Sequence, residues 1–410
     1  MSVATDSAPA RAPETCSSRG WLTAERLRLY AAAILLIECG LVGAWWYGHW
    51  ILANPSIPLI GWDFAVYWSA SGLVQTHGAL GAYDWELLRA AEKPLLGQTF
   101  GPFAYPPTFL LLVYPVASVS FGVGLLLFSA IGIALYIGAI KATAGSEISD
   151  WLIPAIAFPG IWAALLAGQN SLLTAAACAV ALLQMRKSAV VAGACIALIC
   201  IKPQLGVLVP LMLLCEGRWK VFASAALATA VFVALPAVVF GHDVFPAFLH
   251  SMVMFREAVA EHGGAVLRGA PTVFAMLRTA GVDVAMAYAC HAAVAAIVAV
   301  ICAWIWLTRA RVALSASALV VGTLLVQPYM IYYDLAWLAI PITLLAADMV
   351  RHGGSRVERL ILVLTWLAPA HALLVVLGLP TPQLAPLLLL ALLAVIVRRH
   401  RAARCQGSAT

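Results

Sequence analysis

Charged side chains are scarce in this chain. Asp, Glu, Lys and Arg make up 10% of its 410 residues, whereas an average soluble domain carries about 25%. With 63% hydrophobic residues there is too little polar surface to coat a water-soluble globule, and that class is excluded. The motifs of soluble catalysis are missing too. No Walker A loop, HExxH or GxSxG with triad partners occurs, and no residues have zinc-ligand spacing. The nine histidines are scattered, so neither a metal site nor a cofactor is expected. The nine cysteines include no CxxC pair. Cys39, Cys178, Cys195, Cys200, Cys215, Cys290 and Cys302 fall in apolar stretches, and Cys16 and Cys405 lie near the ends. They suit small core hydrophobes better than disulfides or ligands.

What the chain does have is length of apolar sequence. Residues 30–51, 121–140, 221–240, 284–307 and 360–379 each approach or exceed the roughly 20 apolar residues that cross a bilayer. The fold expected is all-α, a polytopic transmembrane helical bundle. The net charge of +6 could suggest nucleic acid, but its distribution argues otherwise, and no nucleic-acid partner is expected. Arg26 and Arg28 precede the first span. Arg186 and Lys187, Arg218 and Lys220, Arg309 and Arg311, and Arg351, Arg356 and Arg359 follow between later spans, and Arg398, Arg399, Arg401 and Arg404 close the last one. By the positive-inside rule these clusters mark the cytoplasmic face.

That rule threads the chain through a bacterial inner membrane, multi-pass, with both termini cytoplasmic. Residues 1–25 are expected to be a disordered tail, 26–400 a single transmembrane domain, and 401–410 a second tail. Residues 52–104 form a long first periplasmic loop, and 241–283 a second. Within the first, Phe64–Leu73 and Tyr83–Arg89 look like short amphipathic helices at the interface. Residues 150–186 are too long for one span, and two full crossings would put Arg186 and Lys187 outside. A re-entrant pair is therefore expected, 152–167 and 171–186, with Gly168-Gln169-Asn170 at the outer surface. Polar backbone at such a break is tolerable where it lines a cavity. The total is about twelve spans plus the re-entrant pair.

On this threading a few polar residues stand in apolar company. Asp63 has Trp62, Phe64, Tyr67 and Trp68 around it. Partial desolvation there would raise a carboxylate pKa toward the range of a general base; the structural alternative is an N-cap for a helix starting at Phe64. Lys202, next to Pro203 between two short apolar stretches, suits a phosphate or lipid headgroup, or simply snorkels. Gln169 could bind a sugar or stitch helices together. Arg268 and Arg278 could meet an anionic headgroup or anchor at the interface. Asp334 would sit at a helix start, favoured by the dipole. Asp84, Glu86 and Glu92 fit a solvated outer face. Glu38, inside the first span, has no evident role.

These residues recur in a familiar order: Asp63-Phe64, Tyr67-Trp68, Tyr83-Asp84, Tyr105-Pro106-Pro107-Thr108-Phe109, Gly168-Gln169-Asn170, Lys202-Pro203-Gln204, and Pro328-Tyr329 through Tyr333-Asp334-Leu335. Over roughly residues 60–345 the chain resembles glycosyltransferase family 87. Its members are polytopic GT-C enzymes that include mycobacterial polyprenyl-phosphate-mannose-dependent mannosyltransferases. The resemblance implies a hexosyltransferase, mannosyltransferase-like, that moves a sugar with inversion from a polyprenyl-phosphate donor. The acceptor would be a membrane lipid or a glycan at the periplasmic face, and Asp63 the general base. Tyr67, Tyr105, Gln169, Lys202, Arg268, Tyr333 and Asp334 would bind substrate. Where the mycobacterial members resemble a Ser-Pro, Trp, His-His pattern, this chain has Gln327-Pro328 and Tyr333-Asp334, so histidine roles do not carry over. The alternatives are a transporter or lipid-linked-sugar flippase, and a non-catalytic partner in an envelope polysaccharide complex.

Overall fold

The structure is a computed structural model that describes residues 24–54, 56–145 and 152–407. Every regular element among these residues is helical. Residues 1–23 and 408–410 of the expected tails fall outside them, as does Cys16.

Six helices among the described residues are long and apolar enough to cross a membrane. They are α1 (Ala24–Trp46) with the π-helical turn Tyr47–Ile51, and, further along, Phe121–Ala144, Trp219–Phe240, Val284–Leu307, Tyr332–His352 and Arg356–Val376. Leu126, Ile131, Val231, Val238, Ile297 and Val300 lie exposed on three of them. Large apolar side chains on an outer surface are stable where the surrounding medium is hydrocarbon. The multi-pass membrane reading is therefore physical as well as compositional.

The segment expected to be the first periplasmic loop folds back onto the bundle. It carries α2 (Trp62–His77) and α3 (Trp85–Leu96), followed by α4 (Pro107–Val113), which opens on Pro106 and Pro107 as a first helical turn allows. α3 has the expected one-sided form, with Leu88 buried and Glu86, Arg89 and Lys93 exposed. α2 differs from expectation. Phe64, Ala65, Val66, Tyr67, Ala70 and Leu73 are all buried, so it is a core helix rather than one lying at the interface. Small residues at Ala65, Ser69, Ala70, Ser71 and Gly72 let neighbours approach from several sides, leaving no single wet face.

After α5 (Phe121–Ala144) come α6 (Leu152–Ile156), α7 (Pro159–Ala167), α8 (Ser171–Gln184), α9 (Ala189–Ile199) and α10 (Val209–Cys215), all too short to span alone. The turn between α7 and α8 was expected at the outer surface; instead it is buried beneath α2. Gly168 makes this possible. Its φ is +70°, and an added Cβ would stand 2.6 Å from the Phe64 Cβ and 3.0 Å from the Gly61 Cα. A backbone bond from Gly61 N to Leu166 O, 2.7 Å, closes the contact.

α11 (Trp219–Phe240) leads into the segment expected to be the second periplasmic loop, which is helical as α12 (Val244–Phe255), α13 (Gly264–Gly269) and α14 (Val273–Thr279). It docks on the first loop: Trp85 Nε1 donates to Ser251 Oγ at 3.0 Å, and the Tyr83 and Phe248 rings sit 5.9 Å apart. The chain continues as α15 (Val284–Leu307), α16 (Val312–Val326), a 3-10 helix (Tyr332–Leu338) running into α17 (Ala339–His352), α18 (Arg356–Val376) and α19 (Ala385–Gly407).

The last helix runs well past the boundary expected at residue 400. Arg399 is buried in it, 2.7 Å from Asp348 and 3.2 Å from Glu358, and Arg311 reaches Asp348 at 3.2 Å. Two basic clusters therefore meet at one end of the bundle, tied to the buried acids Asp348 and Glu358. The polar residues of the candidate site collect at the opposite ends of α16 and α17.

Candidate active site

Three helix interruptions converge on the start of α2. They are Gly168–Asn170 between α7 and α8, Cys200–Gly206 between α9 and α10, and Gln327–Asp334 between α16 and α17. Each frees backbone groups that a hydrocarbon interior would penalise, and each delivers one of the rare polar side chains. The interruptions also bond to one another, the Gln327 amide donating to the Gln204 carbonyl.

Gln169 is the hub. Its Nε2 donates to Asp63 Oδ2 at 2.6 Å. Its Oε1 faces the Tyr67 hydroxyl at 2.7 Å, the Tyr105 hydroxyl at 3.0 Å and the Lys202 ammonium at 3.3 Å. With donors on the oxygen side and a carboxylate on the other, only one amide orientation satisfies the network. The two phenols also lie 2.8 Å apart, so their protons serve two of the three contacts at a time. Burial pushes both phenols above the usual tyrosine range and keeps them protonated donors.

Lys202 is 4% exposed and pairs with Asp334 Oδ1 at 2.7 Å. Ser171 Oγ donates to the same carboxylate oxygen, and the ammonium lies 4.8 Å from the Tyr333 ring centre. Neither snorkelling nor an exposed lysine describes this. Burial pulls Lys202 toward its neutral form, but the charge and hydrogen bond of Asp334, with Tyr105 and Asp63 nearby, together outweigh it and raise the ammonium above the ordinary lysine value.

Asp63 sits in the first turn of α2, and Gly61, at φ +82°, takes the N-cap position with no side-chain cap. The capping role open to Asp63 is therefore not used; its carboxylate points to Gln169 instead. It keeps partial exposure, as a base that must meet a substrate requires. Desolvation raises its pKa to about 6, against the opposing pull of the Gln169 hydrogen bond, the Lys202 charge and a hydrogen bond from Tyr333. Such a carboxylate is ionised at neutral pH yet basic enough to accept a proton.

The structure thus brings together Asp63, Tyr67, Tyr105, Gln169, Lys202, Tyr333 and Asp334. It does not bring in Arg268, whose side chain is exposed on α13; only the backbone there engages, its carbonyl accepting from Gln383. α13 does border the site, since Gly269 faces the Tyr332 ring. Arg278 spends its guanidinium on the carbonyls of Val282 and Glu261. Glu92 departs most from expectation. It is fully buried, with Oε2 accepting from Gly101 N at 2.9 Å, and burial raises its pKa to about 8. Asp84 instead caps α3, accepting from the backbone of Glu86 and Leu87.

Ser171 was not singled out from sequence, and Asn170 was named only within the Gly168-Gln169-Asn170 motif, with no binding role. Ser171 is an ordinary helix-start residue by pattern, and its contact with Asp334 spans 163 positions. Among the described residues, no group of three His, Cys, Asp or Glu side chains could hold a metal ion.

Broken helices in an apolar bundle, presenting an acid, an amide and a buried lysine at one end, define a polytopic membrane protein with a polar cluster at its helix breaks. The chain belongs to glycosyltransferase family 87, a GT-C-type family of membrane glycosyltransferases whose profile matches residues 103–328, more than half its length. The match includes Tyr105, Gln169 and Lys202, and Asp63 and Asp334 flank it. No curated protein and no solved structure matches the chain.

Proposed function

We propose that the protein transfers a hexose from a polyprenyl-phosphate carrier to a hydroxyl of a lipid or glycan acceptor, at the periplasmic face of a bacterial inner membrane. Asp63 takes the proton as the acceptor oxygen attacks the anomeric carbon. The bond from that carbon to the phosphate oxygen breaks on the opposite side, so the configuration inverts and polyprenyl phosphate departs. The observation that carries this reading is the carboxylate of Asp63, oriented by Gln169, partly open and poised to accept a proton near neutral pH.

The surroundings support each requirement. Gln169, Tyr67 and Tyr105 hold the base in one geometry, which general-base catalysis needs. Lys202 supplies positive charge beside the reacting groups, where charge grows on a departing phosphate, and its pairing with Asp334 keeps it from wandering. Exposed apolar helix faces suit hydrocarbon surroundings, the medium in which a lipid-borne donor resides.

The test incubates the purified protein with labelled polyprenyl-phosphate sugars and membrane lipid extract, and identifies products by mass spectrometry. A new glycosylated species with release of polyprenyl phosphate supports the reading. Vectorial movement of the intact sugar lipid across a vesicle membrane, with no new glycosidic bond, would replace it with the flippase alternative.

A further inference from the structure

Asn170 is 1% exposed, and neither its side-chain oxygen nor its nitrogen has a hydrogen-bond partner. Its backbone is fully engaged: the N–H meets Gln169 Oε1 at 3.3 Å and the carbonyl accepts from Thr174 N at 3.1 Å. Asparagine at the start of a helix ordinarily caps it, yet at the N-cap of α8 the Asn170 side chain makes no capping bond. The usual structural reason for this residue here is therefore unused. Buried amides without partners are rare and costly in folded proteins. This one stands between Gln169, which holds Asp63, and Ser171, which holds Asp334.

Building on the transfer reading above, we propose that Asn170 recognises the sugar, its carboxamide hydrogen-bonding a neighbouring pair of ring hydroxyls. The chemistry selects this ligand over others. An anion would satisfy the nitrogen but face the Asn170 oxygen, and a cation would leave the nitrogen unpaired. A vicinal diol offers a donor and an acceptor side by side, matching both halves of the amide. A second buried group without a partner, the Tyr332 hydroxyl, lies on the same 3-10 helix as Asp334 and within electrostatic reach of Asp63.

The experiment compares wild type with Asn170→Ala and Asn170→Leu in two readouts. In thermal unfolding without substrate, both variants should melt at or above the wild-type Tm, because they delete an unsatisfied amide. In transfer kinetics with a labelled polyprenyl-phosphate hexose, Asn170→Ala should raise the donor KM about tenfold or more. Deoxy-sugar donors should abolish that difference when the missing hydroxyl is the one bound. If deoxy acceptors abolish it instead, the diol belongs to the acceptor sugar, which equally upholds sugar recognition. A lowered Tm with unchanged kinetics would assign Asn170 a purely structural role and overturn the proposal.

Should wild type turn over no sugar lipid, the transfer reading fails on its own. The same compound then serves as a binding probe: a ligand-induced rise in Tm confined to wild type upholds Asn170, and an equal rise in Asn170→Ala overturns it.

Discussion

Gln169 donates its side-chain amide to Asp63 over 2.6 Å, across 106 positions of chain. Glycine permits that contact. Gly168 carries the backbone through a left-handed turn under α2, where a side chain would collide with Phe64. The amide then meets the carboxylate with its nitrogen and three side-chain donors and the Asn170 N–H with its oxygen. The relationship links the local backbone at one helix break to the protonation chemistry at another element, and the predictions follow from it.

Transfer should depend on one ionisation near pH 6. Burial raises the pKa of Asp63, so the base form is lost as the pH falls through about 6 and is full above it. The rate constant kcat/KM should rise with unit slope below that pH and level off above. A profile flat from pH 5 to 8 contradicts this.

Gln169→Leu should move that limb upward. The amide favours the charged form of Asp63, and a hydrogen bond to a charged group is worth about 1.5–3 kcal/mol, at about 1.4 kcal/mol per pH unit. The midpoint should shift alkaline by about one unit in the same pH–rate measurement. An unmoved midpoint would show that Gln169 does not tune the base.

The polar residues were legible because they are rare. Asp63, Gln169, Lys202 and Asp334 interrupt apolar sequence beside Gly, Pro or aromatic residues, and such interruptions in membrane helices ask for a reason. The long apolar runs likewise announced the bundle. The burial of α2 was not legible, because small residues on several of its sides give no helical periodicity to read. Glu92 looked solvated because its partner, Gly101, reaches it only when residues 97–105 fold back over α2. The pairing of Lys202 with Asp334 joins positions 132 apart, and neither residue by itself names the other.

Lys202→Met should cost about 3–5 kcal/mol in unfolding free energy, because it strands the Asp334 carboxylate in a buried setting. The double variant Lys202→Met with Asp334→Leu should recover most of that loss while remaining poor in transfer. Denaturant unfolding in detergent measures both. A single variant as stable as wild type would deny the buried pair its role.

Glu92→Gln should stabilise the protein at neutral pH. The raised pKa means the native state favours the uncharged acid. The contribution of Glu92 to stability is therefore fully present below 4.5, the ordinary glutamate value, and is lost as the pH rises through about 8. Wild-type Tm should decline across that window, and the variant should lack this decline. Parallel curves for the two proteins would contradict a buried acid at position 92.

The most direct measurement is sugar transfer by Asp63→Asn, made on protein whose Tm matches wild type. Asparagine keeps the shape but cannot take a proton, so transfer should fall by about 10²–10⁴-fold, the usual contribution of a general base. A rate within a factor of two of wild type would contradict the account, since the proton must then leave by another route.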